Sequence, residues 1–275
     1  MKPPPFGYAA PTSLAEAASL LAEHGEDAKV IAGGQSLIPL LSLRLSRPSF
    51  LVDLNRVPEL GTVEGSTLGA MVRHRTLEKS ADIARAVPLL AAAAPHIGHQ
   101  AIRSRGTIGG SISHADPAAE LPAVALALDA VLTVTSAARG DRDISAAEFF
   151  QGYFTTALEP DEILVRVRFP EAAPGTRAAV EEMARRHGDF AMVAAMVSLA
   201  PDGDARIALV NVADRPFRAA EAEAALRSGA SDDEVVDLAT RDLDPVSDLH
   251  ATSAYRKKVA GVMVRRALDK VRAAA

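Results

Sequence analysis

The sequence predicts an α+β protein in two parts, with its functional chemistry concentrated in the first. Three observations predict it. Hydrophobic residues are 48% and charged residues 24% of the 275, an ordinary globular balance in a chain long enough for two cores. From residue 13 to residue 169, short β-branched apolar runs alternate with capped segments of helical period. The stretch EAAPGT at 171–176 then reads as a linker, and beyond it the pattern changes to a hairpin followed by helices.

Each element has a local reason. Ser13-Leu-Ala-Glu16 is a capping box, Leu14, Ala17, Ala18 and Leu21 recur behind it at helical spacing, and Gly25 is the stop. Val30 and Ile31 suggest a short buried strand running into Gly33-Gly34, a helical segment starts at Leu37, and FLVDL at 50–54 is a second strand. Thr62 to Ala70 suggests a hairpin, and Pro88 to His96 a helix with proline near its start. Pro117 to Asp129 has helical composition broken by Pro122. Val131 to Thr135 alternates as a strand should, Ser145-Ala-Ala-Glu148 is a second capping box, and Ile163 to Phe169 is a strand with Arg166 and Arg168 on a wet face. Past the linker, Ala191–Leu199 and Ala205–Val212 flank the turn Pro201-Asp202-Gly203. Helices follow from Pro216, from the capping box Ser231-Asp-Asp-Glu234, and from Ser253 to the end. The last carries Val259, Val262, Met263 and Ala267 on one side, a pattern that serves a packed helix and a subunit interface equally well.

Composition removes several function classes. The net charge is −5, and the basic clusters (Arg103 with Arg105, Lys257 with Lys258, Arg265 with Arg266) are short, so no nucleic-acid footprint is expected. There is no cysteine, which excludes disulfides, iron–sulfur ligation, a cysteine nucleophile and a cysteine-linked flavin within this chain. The start, MKPPPFGYAAPTS, lacks the apolar run of a signal peptide, and no uncharged apolar stretch has spanning length. A cytoplasmic protein without a membrane span is the expectation. Aromatics are only 4% with no Trp, so stacking platforms for single-stranded nucleic acid are not expected.

Two Gly-Gly turns stand out: Ala32-Gly33-Gly34-Gln35-Ser36 and Thr107-Ile108-Gly109-Gly110-Ser111. Each is expected to leave an apolar β segment and each ends in a small hydroxyl residue. Glycine pairs let consecutive amides point at one anion, and two such nests side by side suit a diphosphate. Either pair alone also fits a plain turn or bulge; the matched endings favour the anion. Neither matches GxxxxGK[ST], nor a GxGxxG opening a βαβ unit.

The segments AGGQSLIPLLSLRLSRPSFLVDLN and IRSRGTIGGSISHADPAAELPAVALALDA resemble the two FAD-binding signatures of the molybdenum hydroxylase flavoprotein subunits, the group of the aerobic carbon monoxide dehydrogenase medium subunit, with xanthine dehydrogenase as a fused relative. The resemblance continues through RRHGDFAM at 185–192 and SAYRKKVAGVMVRRAL at 253–268, covering nearly the whole chain. It implies the two-subdomain FAD-binding fold of the vanillyl-alcohol oxidase/PCMH type over 1–172, with subdomains of about 1–56 and 57–172, and an α+β domain of the CO dehydrogenase flavoprotein type over 176–275. It implies noncovalent FAD here, with molybdopterin and 2Fe-2S clusters only in partner subunits. Electrons would pass from those clusters through FAD to an external acceptor, in a complex with a large molybdenum subunit and a small iron–sulfur subunit, expected as a dimer of heterotrimers. A stand-alone FAD oxidoreductase on the same scaffold is the alternative, and a binding or assembly module with an empty site is a third reading. The alternative would need its own substrate pocket, and no spare domain for one is expected; two intact glycine loops oppose the third.

By the same resemblance, Ala32, Gly33, Gly34, Gln35 and Ser36, with Thr107, Ile108, Gly109, Gly110 and Ser111, would cradle the pyrophosphate. Glu120 falls where relatives carry an acid that hydrogen-bonds cofactor hydroxyls, with Asp116 close by. Leu164 falls on a strand that touches the flavin, and Phe190 at an aromatic position covering one ring face. One position departs from the family: Glu182 stands where relatives often have Lys, which removes a cation able to stabilise a reduced flavin. His114 and Asp116 are weighed as metal ligands or a catalytic histidine and read instead as pocket lining, since no third ligand lies at metal spacing. His96 and His99 are separated by Gly98, which argues for a loop. Asp189 is read as a cap for the segment after it, as an alternative to a cofactor contact.

Overall fold

The computed structural model describes residues 2–273. A three-stranded parallel sheet opens the chain: β1 (Gly7–Ala9) and β2 (Ala28–Ile31) flank β3 (Phe50–Asp53). The connections are α1 (Leu14–His24) and α2 (Leu37–Ser42). Ser13 accepts the Glu16 N–H, satisfying one orphan donor of the helix start, while the Glu16 carboxylate takes the N–H of Thr12, just before the cap, at 2.8 Å. Ala17, Ala18 and Leu21 are buried in a core shared with Val52 and Leu54.

Next comes a five-stranded antiparallel sheet in the order β4 (Val63–Glu64), β5 (Thr67–Gly69), β10 (Ile163–Arg168), β6 (Val131–Ser136) and β7 (Gly140–Ser145). β8 (Phe150–Gly152) and β9 (Thr155–Thr156) form a separate small hairpin, and β10 is the central strand of the larger sheet. The helices of this unit are α3 (His74–Lys79), α4 (Ala81–Ala86), α5 (Pro88–Ala93), α6 (Gln100–Arg105), α7 (Ile108–His114), α8 (Glu120–Ala127) and α9 (Ala146–Phe149). A bulge at Val165 lets β10 serve two cores. Leu164 and Val167 pack with the helices, whereas Ile163 and Val165 pack with the first unit. The expected wet face of this strand is therefore confined to its end, where Arg166 and Arg168 are exposed beside Asp141 and Asp143.

The last part is a four-stranded antiparallel sheet, β11 (Arg177–Met183), β12 (Val193–Leu199), β13 (Ala205–Val210) and β14 (Phe217–Arg218), with α10 (Ala220–Arg227), α11 (Asp232–Thr240) and α12 (Ser253–Ala273). One face packs under α12; the other face, with Val180, Ala194, Met196, Ala208 and Val210, joins the core of the preceding unit. Burial on both faces explains why β12 reads as a continuous apolar run. Val259, Met263 and Ala267 are buried against this sheet, whereas Val262 faces outward, so α12 is a packed helix.

Three expectations are corrected, and one strand is added. The second glycine pair does not leave a strand: the short helix α6 precedes it, and Gly109 and Gly110 lie in the first turn of α7. Pro122 does not break α8, because it is third in the helix, where its missing N–H would have had no partner. The helix expected from Pro216 starts at Ala220, since 217–218 pair with β13 instead. β11 was not anticipated, because its polar Glu181 and Glu182 hide the strand in the sequence. No helix among the described residues is long and apolar enough to cross a membrane.

Candidate functional site

The first glycine segment is a donor-rich turn. β2 ends at Ile31, Gly34 takes a φ of +75° and Ser36 a right-handed helical conformation before α2 begins. Among the described residues, the backbone N–H groups of Gly33, Gly34, Gln35 and Ser36 have no protein acceptor. Consecutive unpaired N–H groups through a left-handed glycine are what an anion-binding nest requires. The Gln35 amide folds back onto the Gly33 carbonyl at 3.2 Å.

The second segment is built differently. Its N–H groups are already used: Ile108 donates to Val72 O at 3.0 Å, Gly109 to Ala70 O at 2.8 Å, and Gly110 to the capping Thr107 Oγ1 at 3.0 Å. The expectation of a second nest is therefore not met. These glycines serve close approach: a Cβ on Gly109 would lie 2.7 Å from Ala70 O, and one on Gly110 would lie 2.8 Å from Thr107 Oγ1 and 3.5 Å from Ala32 Cβ. The last distance puts the two segments side by side. A Cβ on Gly33 would lie 2.8 Å from Gly106 Cα, so the first segment rests directly on the residues leading into the second. The sequence-expected loop residues are thus brought together, with free donors on one side and a side-chain-free wall on the other.

Beyond α7, Ala115 in the left-handed region turns the chain into Asp116, whose Oδ1 takes the Ala118 N–H at 2.9 Å. Glu120 opens α8 and is 5% exposed. Burial, then the nearby Glu182 charge, push its carboxyl up to about 8. Glu182 shares the β11 face of Val180, turned to the preceding unit; its Oε2 lies 3.6 Å from His96 Nδ1 and has no hydrogen-bond partner. Burial pushes it up to about 7. Glu182 is therefore a buried carboxyl beside His96 whose burial favours its protonated form, and not the simple negative charge expected from sequence. His114 sits 5.1 Å from the Phe154 ring, and burial lowers its pKa. No group of three or more acidic or histidine side chains able to hold a metal occurs among the described residues.

Leu164 pairs with Val134 and is 4% exposed, so its side chain belongs to the supporting core. Phe190 is 64% exposed, on the turn between β11 and β12. That turn is held against the preceding unit: Gly188, at φ +87°, packs where a Cβ would meet the His99 ring at 2.6 Å. Asp189 does not cap the segment after it; it pairs back with Arg186 at 3.1 Å.

The residue pattern fits a diphosphate-bearing cofactor, through the unpaired donors at 33–36 and the glycine wall beside them. The FAD binding domain of the molybdopterin dehydrogenases matches residues 4–172, and the CO dehydrogenase flavoprotein C-terminal domain matches 178–271. The chain belongs to this flavoprotein family. Among its relatives, the 6-hydroxypseudooxynicotine dehydrogenase complex subunit alpha of Paenarthrobacter nicotinovorans is 44% identical, over 98% of this chain and 95% of the relative. The carbon monoxide dehydrogenase medium chain of Hydrogenophaga pseudoflava is 40% identical over 98% of both. The flavoprotein fold also superposes on a chain of reconstituted CO dehydrogenase from Oligotropha carboxidovorans with a TM-score of 0.95, 38% identity and complete coverage of both chains. The two-part α+β fold class expected from sequence holds.

Sequence reasoning missed several residues that support the flavoprotein's site. Asn211, at φ +60°, donates its N–H to Pro117 O and its side-chain amide to Ala191 O, tying the segment before Glu120 to the one after Phe190. His74 is buried, bonded through Nε2 to Thr107 O at 2.8 Å, and burial pushes it down to about 4. Asn55 and Arg73 connect the two glycine segments. Only a non-Gly residue forced to positive φ leaves a faint sequence trace, since Asn tolerates it best.

Proposed function

We propose that this chain holds FAD noncovalently across the two glycine segments and serves as the electron-transfer subunit of a molybdenum hydroxylase complex. The observation that carries the reading is the run of unpaired N–H groups at 33–36, set directly against the Gly109-Gly110 wall, in a chain of this family. Gly33 to Ser36 would bind the diphosphate, with the Ser111 hydroxyl beside Gly110. Asp116 and Glu120 would meet polar cofactor groups, and Phe190 would cover a ring face. Bound FAD supplies a two-electron carrier that can be filled one electron at a time. The protein's task is binding, orientation and exclusion of water.

In this reading 1–56 and 57–172 are the FAD subdomains and 176–275 the closing domain. Clusters of the 2Fe-2S type and molybdopterin belong to the partner subunits, which assemble as a dimer of heterotrimers in the cytoplasm, and an external acceptor takes the electrons. The named relatives belong to dehydrogenases of chemically unrelated substrates, 6-hydroxypseudooxynicotine and carbon monoxide, so the partner carrying molybdenum sets the substrate. The test is purification of the chain with its native partners, followed by the visible spectrum and extraction of the cofactor. One FAD per chain is expected, and an isolated chain inert toward organic substrates. A flavin-free complex sinks the proposal, and turnover by the isolated chain favours the stand-alone enzyme.

A further inference from the structure

We propose that Asn55 and Arg73 form the strut that fixes the spacing of the two glycine segments and are positioning residues for the cofactor's diphosphate. The inference deepens the FAD reading and rests on it. Asn55 sits in the 3₁₀ turn Leu54–Arg56 that ends β3. Its Nδ2 donates to Ala32 O at 2.8 Å, at the head of the first segment, and also to Asp53 Oδ1. Its Oδ1 accepts from Arg73 Nη2 at 2.6 Å. The amide orientation is determined by its partners, because a guanidinium only donates and a carbonyl only accepts. The other guanidinium arm, Nη1, donates to Arg105 O, one residue before Gly106 and two before the cap Thr107.

Among the described residues, no other hydrogen bond joins the first segment, or the turn beneath it, to the second. The second segment is zipped to residues 70–74 by backbone: His74 N–H to Gly106 O, Ile108 N–H to Val72 O, Gly109 N–H to Ala70 O, with Arg73 and Thr107 paired as an isolated bridge. Those bonds hold Arg73 to the second segment. Beside the direct packing of the two segments, the guanidinium–amide contact is the hydrogen bond among the described residues that carries that order across to Ala32. The base of the strut is fixed in turn: Asp53 accepts the Asn55 N–H at 2.9 Å and the Tyr8 hydroxyl at 2.6 Å. Arginine suits the task because its planar fork serves two acceptors at once, which a single ammonium cannot do in fixed geometry. Tying back Ala32 O also leaves the following N–H groups without a local carbonyl to claim them.

The test uses the complex depleted of flavin, titrated with FAD and, separately, with riboflavin, which lacks the diphosphate. Asn55→Asp keeps the acceptor for Arg73 and loses the donation to Ala32 O. Arg73→Lys keeps the charge and loses the fork. Both are expected to weaken FAD binding by about tenfold, because a part-buried strut bond is lost and the cofactor must then order the spacing of the two segments itself. Riboflavin affinity and the melting temperature of the flavin-free complex should stay near wild type. FAD affinity within twofold of wild type in both variants overturns the strut while leaving the FAD reading intact, as does an equal loss for FAD and riboflavin. A wild-type complex that does not prefer FAD to riboflavin overturns the diphosphate cradle and the strut with it.

Discussion

Gly33→Ala is the sharpest probe of the two-segment cradle. A Cβ there would stand 2.8 Å from Gly106 Cα and 2.9 Å from the Arg105 carbonyl carbon, and closer still to Arg105 O. Non-bonded carbons settle at about 3.5–4.0 Å, so the segments would have to part by roughly 0.7 Å or more. All three neighbours are backbone, so no side chain can swing aside. Parting is resisted by the Asn55–Arg73 contact and by the packing of Gly110 on Ala32. Overpacking of this kind costs about 1–3 kcal/mol. If the fold absorbs the methyl by opening the cradle, FAD affinity falls by about five- to 150-fold. The assay is a fluorescence titration of the flavin-depleted complex, with melting temperature measured in parallel. Gly229→Ala is the control: it carries φ +82° with open space around it, so it costs stability through strain without touching flavin binding. A Gly33→Ala protein that binds FAD within twofold of wild type and melts unchanged refutes the reasoning.

The same geometry sets further outcomes. The buried carboxyls of Glu120 and Glu182 have pKa values raised to about 8 and about 7, so folding favours their protonated forms. That stability is fully present below the ordinary carboxylate range and is lost as pH rises through about 7 to 8. Asp116 adds negative charge beside Glu120, and His96 is the facing base at Glu182. Melting temperature should therefore fall between mildly acidic and alkaline pH by an amount worth a few kcal/mol at most, and Glu120→Gln should flatten the slope; an unchanged slope in that variant removes Glu120 as its source. Asn211→Ala loses the bond to Ala191 O and leaves alanine at φ +60°, at a cost of about 2–3 kcal/mol. Asn211→Gly, which keeps the backbone conformation, should recover part of that in thermal melts. Phe190 is exposed, so Phe190→Ala should leave the melting temperature of the flavin-free protein within error. Flavin fluorescence should rise as ring quenching is lost, and no change in emission would mean that Phe190 does not cover the ring.

The capping boxes at Ser13, Ser145 and Ser231 and the Pro201-Asp202-Gly203 turn were legible because their bonds close within three or four residues. β1, β7, β11 and α6 were not. Each is short or polar, and each exists because a distant partner pairs with it or packs on it. The second glycine pair shows the same limit. Two adjacent glycines signal a need for space, but a free nest and a tightly packed first helical turn ask for the same residues. Only the bonds to Ala70 and Val72 distinguish them.

By itself, the sequence determined the α+β class, the absence of cysteine chemistry in the chain, the two glycine segments and the family whose cofactor they suit. Those depend on local pattern and on residue identity. Tertiary structure alone decided that Ala32 and Gly110 approach each other, that Asn55 and Arg73 span the gap between their segments, and that the Glu182 carboxylate is buried beside His96 with its charge felt at Glu120. In each case the partners are 18 or more residues apart in the chain. A carboxylate's charge is set by the dielectric and the neighbours that folding brings to it, and a glycine's role by what lies where its side chain would have been.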